Sequence, residues 1–291
     1  MTKKTIITSL ALATMSAVLI FSSCKKKEEV DSDTTAAEDH TQAETHSNDV
    51  ENIGEQASYG NMSTYKLVQA DENIYSTCAT ITSYALNSAD NDTLLVDFGT
   101  AGCTGADGRT RSGSLQYIYT AGLHYRDSGN VITVSSNNYV VDGNSIRITS
   151  KTIKNLGHVT NGNLTWNIAA NITITKANGK TITWTTNKTK VLLAGERPNN
   201  QPIDWAHAQI AIFGTANGTS ANGESFTASV AQATWLIRNF NCAGYRKCFV
   251  AGELDFTPGS KPTRYVNFGT GACDNQATVT INGHVYNVTL R

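Results

Sequence analysis

Short runs that alternate polar and apolar residues, hinged by Asn-Gly or Asp-Gly pairs, constrain this 291-residue chain more than any other feature. Asn171-Ile172-Thr173-Ile174-Thr175 is followed by Asn178-Gly179, and Lys180-Thr181-Ile182-Thr183-Trp184-Thr185 returns with the same period. Side chains alternate across a strand, so Ile172, Ile174, Ile182 and Trp184 are expected on one face. Asn-Gly in this setting offers a type I′ hairpin turn. The device recurs at Asn222-Gly223 and Asn282-Gly283, and Asp142-Gly143 separates Tyr139-Val140-Val141 from Ile146-Arg147-Ile148. Leu115, Tyr117 and Tyr119 line a further strand. No useful window places apolar residues at helical spacing. The expected fold is therefore all-β: an antiparallel, hairpin-rich sheet of roughly a dozen strands, as a sandwich, a barrel or a long open sheet.

A duplication lies inside this pattern. Cys78 and Cys103 enclose 24 residues, as do Cys248 and Cys273. The two segments align without a gap, and Val96-Asp97-Phe98-Gly99-Thr100-Ala101-Gly102-Cys103 matches Val266-Asn267-Phe268-Gly269-Thr270-Gly271-Ala272-Cys273. The repeat predicts two disulfides, Cys78–Cys103 and Cys248–Cys273, with Cys242 left over; a competing scheme joins Cys242 to Cys248 and frees Cys273. A loop of this size contributes ~3 kcal/mol in the chain-entropy treatment.

The set Asp97-Phe98-Gly99, Cys103, Asp107-Gly108-Arg109, Arg111, Gly113, Asn178-Gly179-Lys180, Trp184, Phe268-Gly269, Cys273-Asp274-Asn275 and Asn282-Gly283 resembles a family of uncharacterised lipoproteins of Bacteroidota. The resemblance spans residues ~75–291. It implies an envelope location and a β fold, and it carries no catalytic residue.

The N-terminus fits that location. Lys3 and Lys4 precede an uncharged, mostly apolar stretch from Thr5 to Phe21, and Phe21-Ser22-Ser23-Cys24 resembles the site at which lipoprotein signals are cut and the Cys is lipidated. An uncleaved anchor is the rival reading, although 17 residues is at the short limit for a span. The expected organisation is a signal peptide at 1–23, lipidated Cys24 with a tether over 24–62, and a β-rich domain over 63–291. Residues 25–62 carry three lysines against ten acidic residues, a net charge of −7, and few apolar residues, so this tether is expected to be disordered. Lys27-Glu28-Glu29 resembles the acidic signal that directs lipoproteins to the cell surface in Bacteroidota. The expected location is the outer membrane, on its surface or its periplasmic side, with the lipid anchor as the membrane contact.

Little points to chemistry. Residues 63–291 have a net charge of +4 and lack a basic run with interleaved aromatics, which argues against a nucleic-acid partner. No HExxH, GxSxG, Walker or dinucleotide pattern occurs. No His sits at ligand spacing from the cysteines, so neither a metal nor a cofactor is expected. Asp204-Trp205-Ala206-His207 is the most enzyme-like tetrapeptide, but strand geometry does not make it a dyad. Asp97 becomes Asn267 in the repeat, which suits a turn better than acid–base work. Trp184 is in phase with Ile182 and belongs to the core, whereas Trp205, beside Pro202 and Asp204 in a loop-like stretch, is the candidate ligand contact. The expected function is non-enzymatic: a lipid-anchored binding or structural module with an unidentified envelope protein or glycan as partner. Carbohydrate binding in uptake or adhesion is the alternative, and a hydrolase comes third.

Overall fold

The computed structural model describes residues 34–59, 78–84, 92–105, 107–198, 201, 203–242 and 248–290. Cys24 and Lys27-Glu28-Glu29 lie outside them. From Thr34 onward the chain is one unit. It opens with a helix, α1 (Thr35–Tyr59). The described strands follow as β1 (Thr80–Tyr84), β2 (Thr93–Asp97), β3 (Cys103–Thr104), β4 (Thr110–Ile118), β5 (Val131–Val141), β6 (Asn144–Thr160), β7 (Asn163–Thr175) and β8 (Thr181–Ala194). The remainder are β9 (Gln209–Thr219), β10 (Ser225–Val230), β11 (Leu236–Asn239), β12 (Ala251–Pro258), β13 (Arg264–Thr270), β14 (Gln276–Ile281) and β15 (His284–Thr289).

All fifteen strands form one antiparallel sheet in nearly sequential order, β1-β2-β4-β5-β6-β7-β8-β9-β10-β12-β13-β14-β15; β3 pairs with β4, and β11 bridges β9 and β12. Of the three expected all-β architectures this is the long open sheet, with β1 and β15 as its two ends. The β7–β8 hairpin has the predicted register, with Ile174 opposite Ile182 and Ile172 opposite Trp184, and all four side chains are buried.

The turns are of two kinds. Asp142-Gly143 and Asn282-Gly283 hold positive φ at both residues, as a type I′ turn requires. At Asn178-Gly179 only Gly179 does. There Lys176 N donates to Lys180 O and Gly179 N to Lys176 O, both at 2.8 Å, so this hairpin closes through a longer loop with a left-handed Gly and not through the expected two-residue turn. Asn222-Gly223 repeats that arrangement.

Helix α1 corrects the expected disordered tether over 24–62. Ala36, Ala43, Val50 and Ala57 recur every seven residues, with Ile53 between the last two, and all are buried against the sheet. The stripe escapes a hydrophobicity count because it is built of small residues. At Gly54 even a Cβ would come within 2.4 Å of the Tyr117 ring. Such a stripe lets the helix lie close to the strands, and tertiary packing supplies most of its stability. Acidic residues fill much of the rest of the buried face, and the sheet and its turns answer all but one of them.

Candidate functional site

The seat of α1 is the most elaborate arrangement in the molecule. It is positioned by strand phase. On β8, Ile182, Trp184, Thr186, Lys188 and Lys190 alternate inward, so the face that begins as core ends as two buried lysines. On β4 Arg111, Leu115 and Tyr117 face inward, and Tyr119, just past the end of the strand, is buried as well. On β6 the inward set changes phase. Ile146 and Ile148 are buried, a bulge follows between Ile148 and Ser150, and Lys151, Ile153 and Asn155 are buried thereafter. The extra residue turns Lys151 toward the helix, where strict alternation would have left it in solvent.

Every acidic side chain on the buried face of α1 except Glu55 meets a base from the strands or the turns between them. Lys176 holds Asp39, whose second oxygen accepts the Ala221 N–H at 2.6 Å. Lys188 Nζ donates to Glu44 Oε1 at 2.6 Å and Asn48 Oδ1 at 2.7 Å. Arg111 makes a two-pronged contact with Asp49, Nη2 to Oδ1 at 2.6 Å and Nε to Oδ2 at 3.1 Å, and grips Asp107 with Nη1 and Nη2 at 3.0 and 2.6 Å. Tyr139 OH also donates to Asp49, at 3.2 Å. Lys151 Nζ donates to Glu51 Oε1 at 2.9 Å and to Ser47 Oγ at 2.7 Å. Lys190 stands 3.5 Å from the other Glu51 oxygen. Uncharged contacts complete the seat: Tyr117 OH donates to Val50 O at 2.7 Å, and Trp184 Nε1 to His40 Nδ1 at 3.2 Å. His40 is thus an acceptor on that nitrogen, and burial lowers its pKa in the same sense.

Buried charges survive only when paired. Burial pushes Glu44 and Glu51 upward, but Lys188 in the first case and Lys151, Lys188 and Lys190 in the second more than reverse it, leaving both carboxyls below their usual range. Lys151 is lowered by burial, partly offset by Glu51. Lys188, between Glu44 and Glu51, is raised despite burial.

Glu55, one turn beyond Glu51, is the exception. Burial pushes its carboxyl up to about 7, only partly countered by Lys190 and Arg126. Neither of its oxygens has a hydrogen-bond partner, and the same is true of Tyr119 OH, Asn155 Nδ2 and Trp166 Nε1. These groups lie at one end of the seat: Asn155 pairs with Trp166 and Trp166 with Lys190 across three strands, and the Lys190 ammonium sits 5.1 Å from the Trp166 ring centroid. Arg126, from the β4–β5 connection, closes this end by binding Glu196 at 2.7 Å, which in turn meets His158 Nε2 at 2.9 Å. Sequence reading missed the acidic helix and its bases. The seven-residue spacing of Ala36, Ala43, Val50 and Ala57 was the available signal.

The residues singled out from sequence fare unevenly. Cys78–Cys103 is formed. The second bridge is Cys242–Cys273, with Cys248 free, which corrects both the expected Cys248–Cys273 pair and the Cys242–Cys248 alternative. The copies also differ in register. Asp97 pairs with Thr80, two residues after Cys78, whereas its counterpart Asn267 pairs with Glu253, five after Cys248. The second ladder has slipped by three residues and carries a bulge. The repeated turn itself is preserved: Gly99 N donates to Asp97 Oδ1 and Gly269 N to Asn267 Oδ1, both at 2.8 Å. Asn replaces Asp there without losing the bond, as a turn role predicts.

Asp204 and His207 do meet, Nδ1 to Oδ2 at 3.0 Å, but Arg197 shares that carboxylate at 3.2 Å and both partners face solvent. Trp205 is half-buried, edge-on to Phe240 at 5.2 Å. Trp166 and Trp184 are core residues. Among the described residues no group of three or more His, Cys, Asp or Glu is arranged to hold a metal ion, and no helix is long and apolar enough to cross a membrane. No protein-family model, curated protein or solved structure matches this chain.

Proposed function

We propose that the chain is a lipid-anchored module of the cell envelope with a binding or structural role. The observation that carries this reading is the seating of α1. The helix starts eleven residues after Cys24, and its acidic side chains are locked to the sheet by buried ion pairs. A lipid on Cys24 then keeps the folded unit within ~40 Å of the bilayer, the reach of eleven extended residues. Buried ion pairs add little net stability but penalise every other register, so the seat fixes how α1 lies on the sheet. The resemblance to Bacteroidota lipoproteins points the same way.

Fractionation of cells carrying the wild type and Cys24→Ser tests it. The wild type should follow the outer membrane and the variant should leave it. A variant that stays membrane-bound and uncleaved refutes the lipid anchor in favour of a spanning segment. Protease treatment of intact cells then separates the two faces: loss of the domain places it on the surface, and survival until the membrane is broken places it in the periplasm.

A second reading, glycan binding, rests on Trp205. Its part-exposed ring lies beside the Arg197–Asp204–His207 set, an aromatic next to polar groups of the kind that hold sugars. Glycan-array binding that disappears in Trp205→Ala supports it.

A further inference from the structure

The geometry points to a thiol–disulfide exchange site at the ends of β12 and β13, where Cys248 competes with Cys242 for Cys273. Two observations converge. First, β12 and β13 are in register with Ala251 opposite Thr270, and Gly271 N donates to Val250 O at 2.8 Å. Carried two residues beyond that bond, past the end of β13, the register sets Cys248 opposite Cys273. Facing positions of an antiparallel pair lie ~4.5–5.5 Å apart at Cα, within the span a disulfide bridges. Second, exposure is graded: Cys273 is exposed, Cys248 is half-buried and unpaired, and Cys242 is buried. The bond thus has its more exposed cysteine on the side of the free thiol.

The step is balanced within the chain. Cys248 gives up its proton and its thiolate attacks Cys273 Sγ. The Cys248–Cys273 bond forms as the Cys242–Cys273 bond breaks. Cys242 leaves as a thiolate and takes up a proton. No oxidant or reductant is consumed. The product bridge closes the second repeat as Cys78–Cys103 closes the first, where no third cysteine competes. The second repeat would therefore exist in two covalent isomers, differing in whether the Cys242 segment is tied to β13.

The test uses the full chain carrying Cys24→Ser, so that only Cys248 starts as a thiol. The oxidised protein is held at pH 8.5 without reductant, quenched in acid, alkylated, and mapped by peptide mass spectrometry. Over minutes to hours, the usual scale of uncatalysed rearrangement, alkylated Cys242 and a Cys248-to-Cys273 cross-linked peptide should rise together, at a rate independent of protein concentration. Cys248→Ala should abolish labelling of Cys242. Labelling confined to Cys248 overturns the proposal, as does Cys242 labelling that persists in Cys248→Ala or a rate proportional to concentration. Cys242→Ala gives an independent check: on air oxidation it should form Cys248–Cys273, and two free thiols in that variant would count equally against it.

Discussion

The strands beneath α1 and the strands beyond it are the same sheet under two regimes. From β2 to β10 the inner face is covered, and its side chains include Trp166, Trp184, Tyr117 and Arg111 at 1% exposure or less. From β13 to β15 no helix among the described residues lies over the sheet, few positions are buried, and Tyr265 and Val285 are more than half exposed. A small cluster of Leu236, Phe268 and Ala277 stands in for a core there. Burial in this protein follows the helix more than the strand pairing: a sheet can be fully hydrogen-bonded and still lack an interior until something lies on it.

Removing the helix should break the comparison outright. Deleting residues 34–59 exposes the largest apolar face and leaves Lys151 and Lys188 without their acidic partners and Arg111 with Asp107 alone, so the cooperative thermal transition should be lost. Retention of a sharp transition near the wild-type temperature would show that the covered strands have a core of their own. Next in size is Arg111→Ala, which leaves Asp49 buried with its two-pronged partner gone. Breaking a buried pair on one side costs about 3–5 kcal/mol, readable by urea unfolding, whereas Arg111→Met combined with Asp49→Leu should recover most of it.

Glu55 supplies a prediction with a pH axis. Its carboxyl is pushed up to about 7 from an ordinary 4.5, so folding favours the protonated form. The contribution of neutral Glu55 is complete below 4.5 and is lost as pH rises through about 7, by about 3 kcal/mol in all at ~1.36 kcal/mol per pH unit. Glu55→Gln should therefore stabilise the protein at pH 8 and leave it unchanged at pH 4; a difference that ignores pH rules the mechanism out. Glu51 works in the opposite sense. Its lysines hold it low, so its contribution disappears as the solution is acidified below its ordinary range. The smallest effect belongs to the uncovered end. Val285→Thr on β15, at a site 65% exposed, should change stability by no more than about 0.5 kcal/mol, and a larger loss would mean that β15 is packed in solution.

The β portion was legible because period-2 alternation and Gly-bearing turns are local signals. Ile172, Ile174, Ile182 and Trp184 declare their shared face within fourteen residues of chain. The helix was not, because its stripe of alanines with Val50 and Ile53, flanked by Asp39, Asp49 and Glu51, has no meaning until the lysines and arginines that receive those acids are known, and such partners lie up to 144 residues away. The bulge that turns Lys151 inward is marked only by the odd spacing from Ile148 to Ile153. The second disulfide was misread for a related reason: repeat logic carries cysteine spacing across, but the first copy has no counterpart of Cys242, the residue that takes Cys273. Asp97 and Asn267, which hold the same turn in the two copies, were read correctly.

The position of α1 at the front of the chain also sets an order of events. The helix is made first, yet its last ion-pair partners, Lys188 and Lys190, follow some 140 residues later. Until β8 has been delivered, α1 has no seat and too little apolar surface to hold a helix by itself. The chain therefore carries its own brake on premature folding. Its acidic helical segment has nothing to close on until most of the sheet has been made, and the molecule closes around it only then.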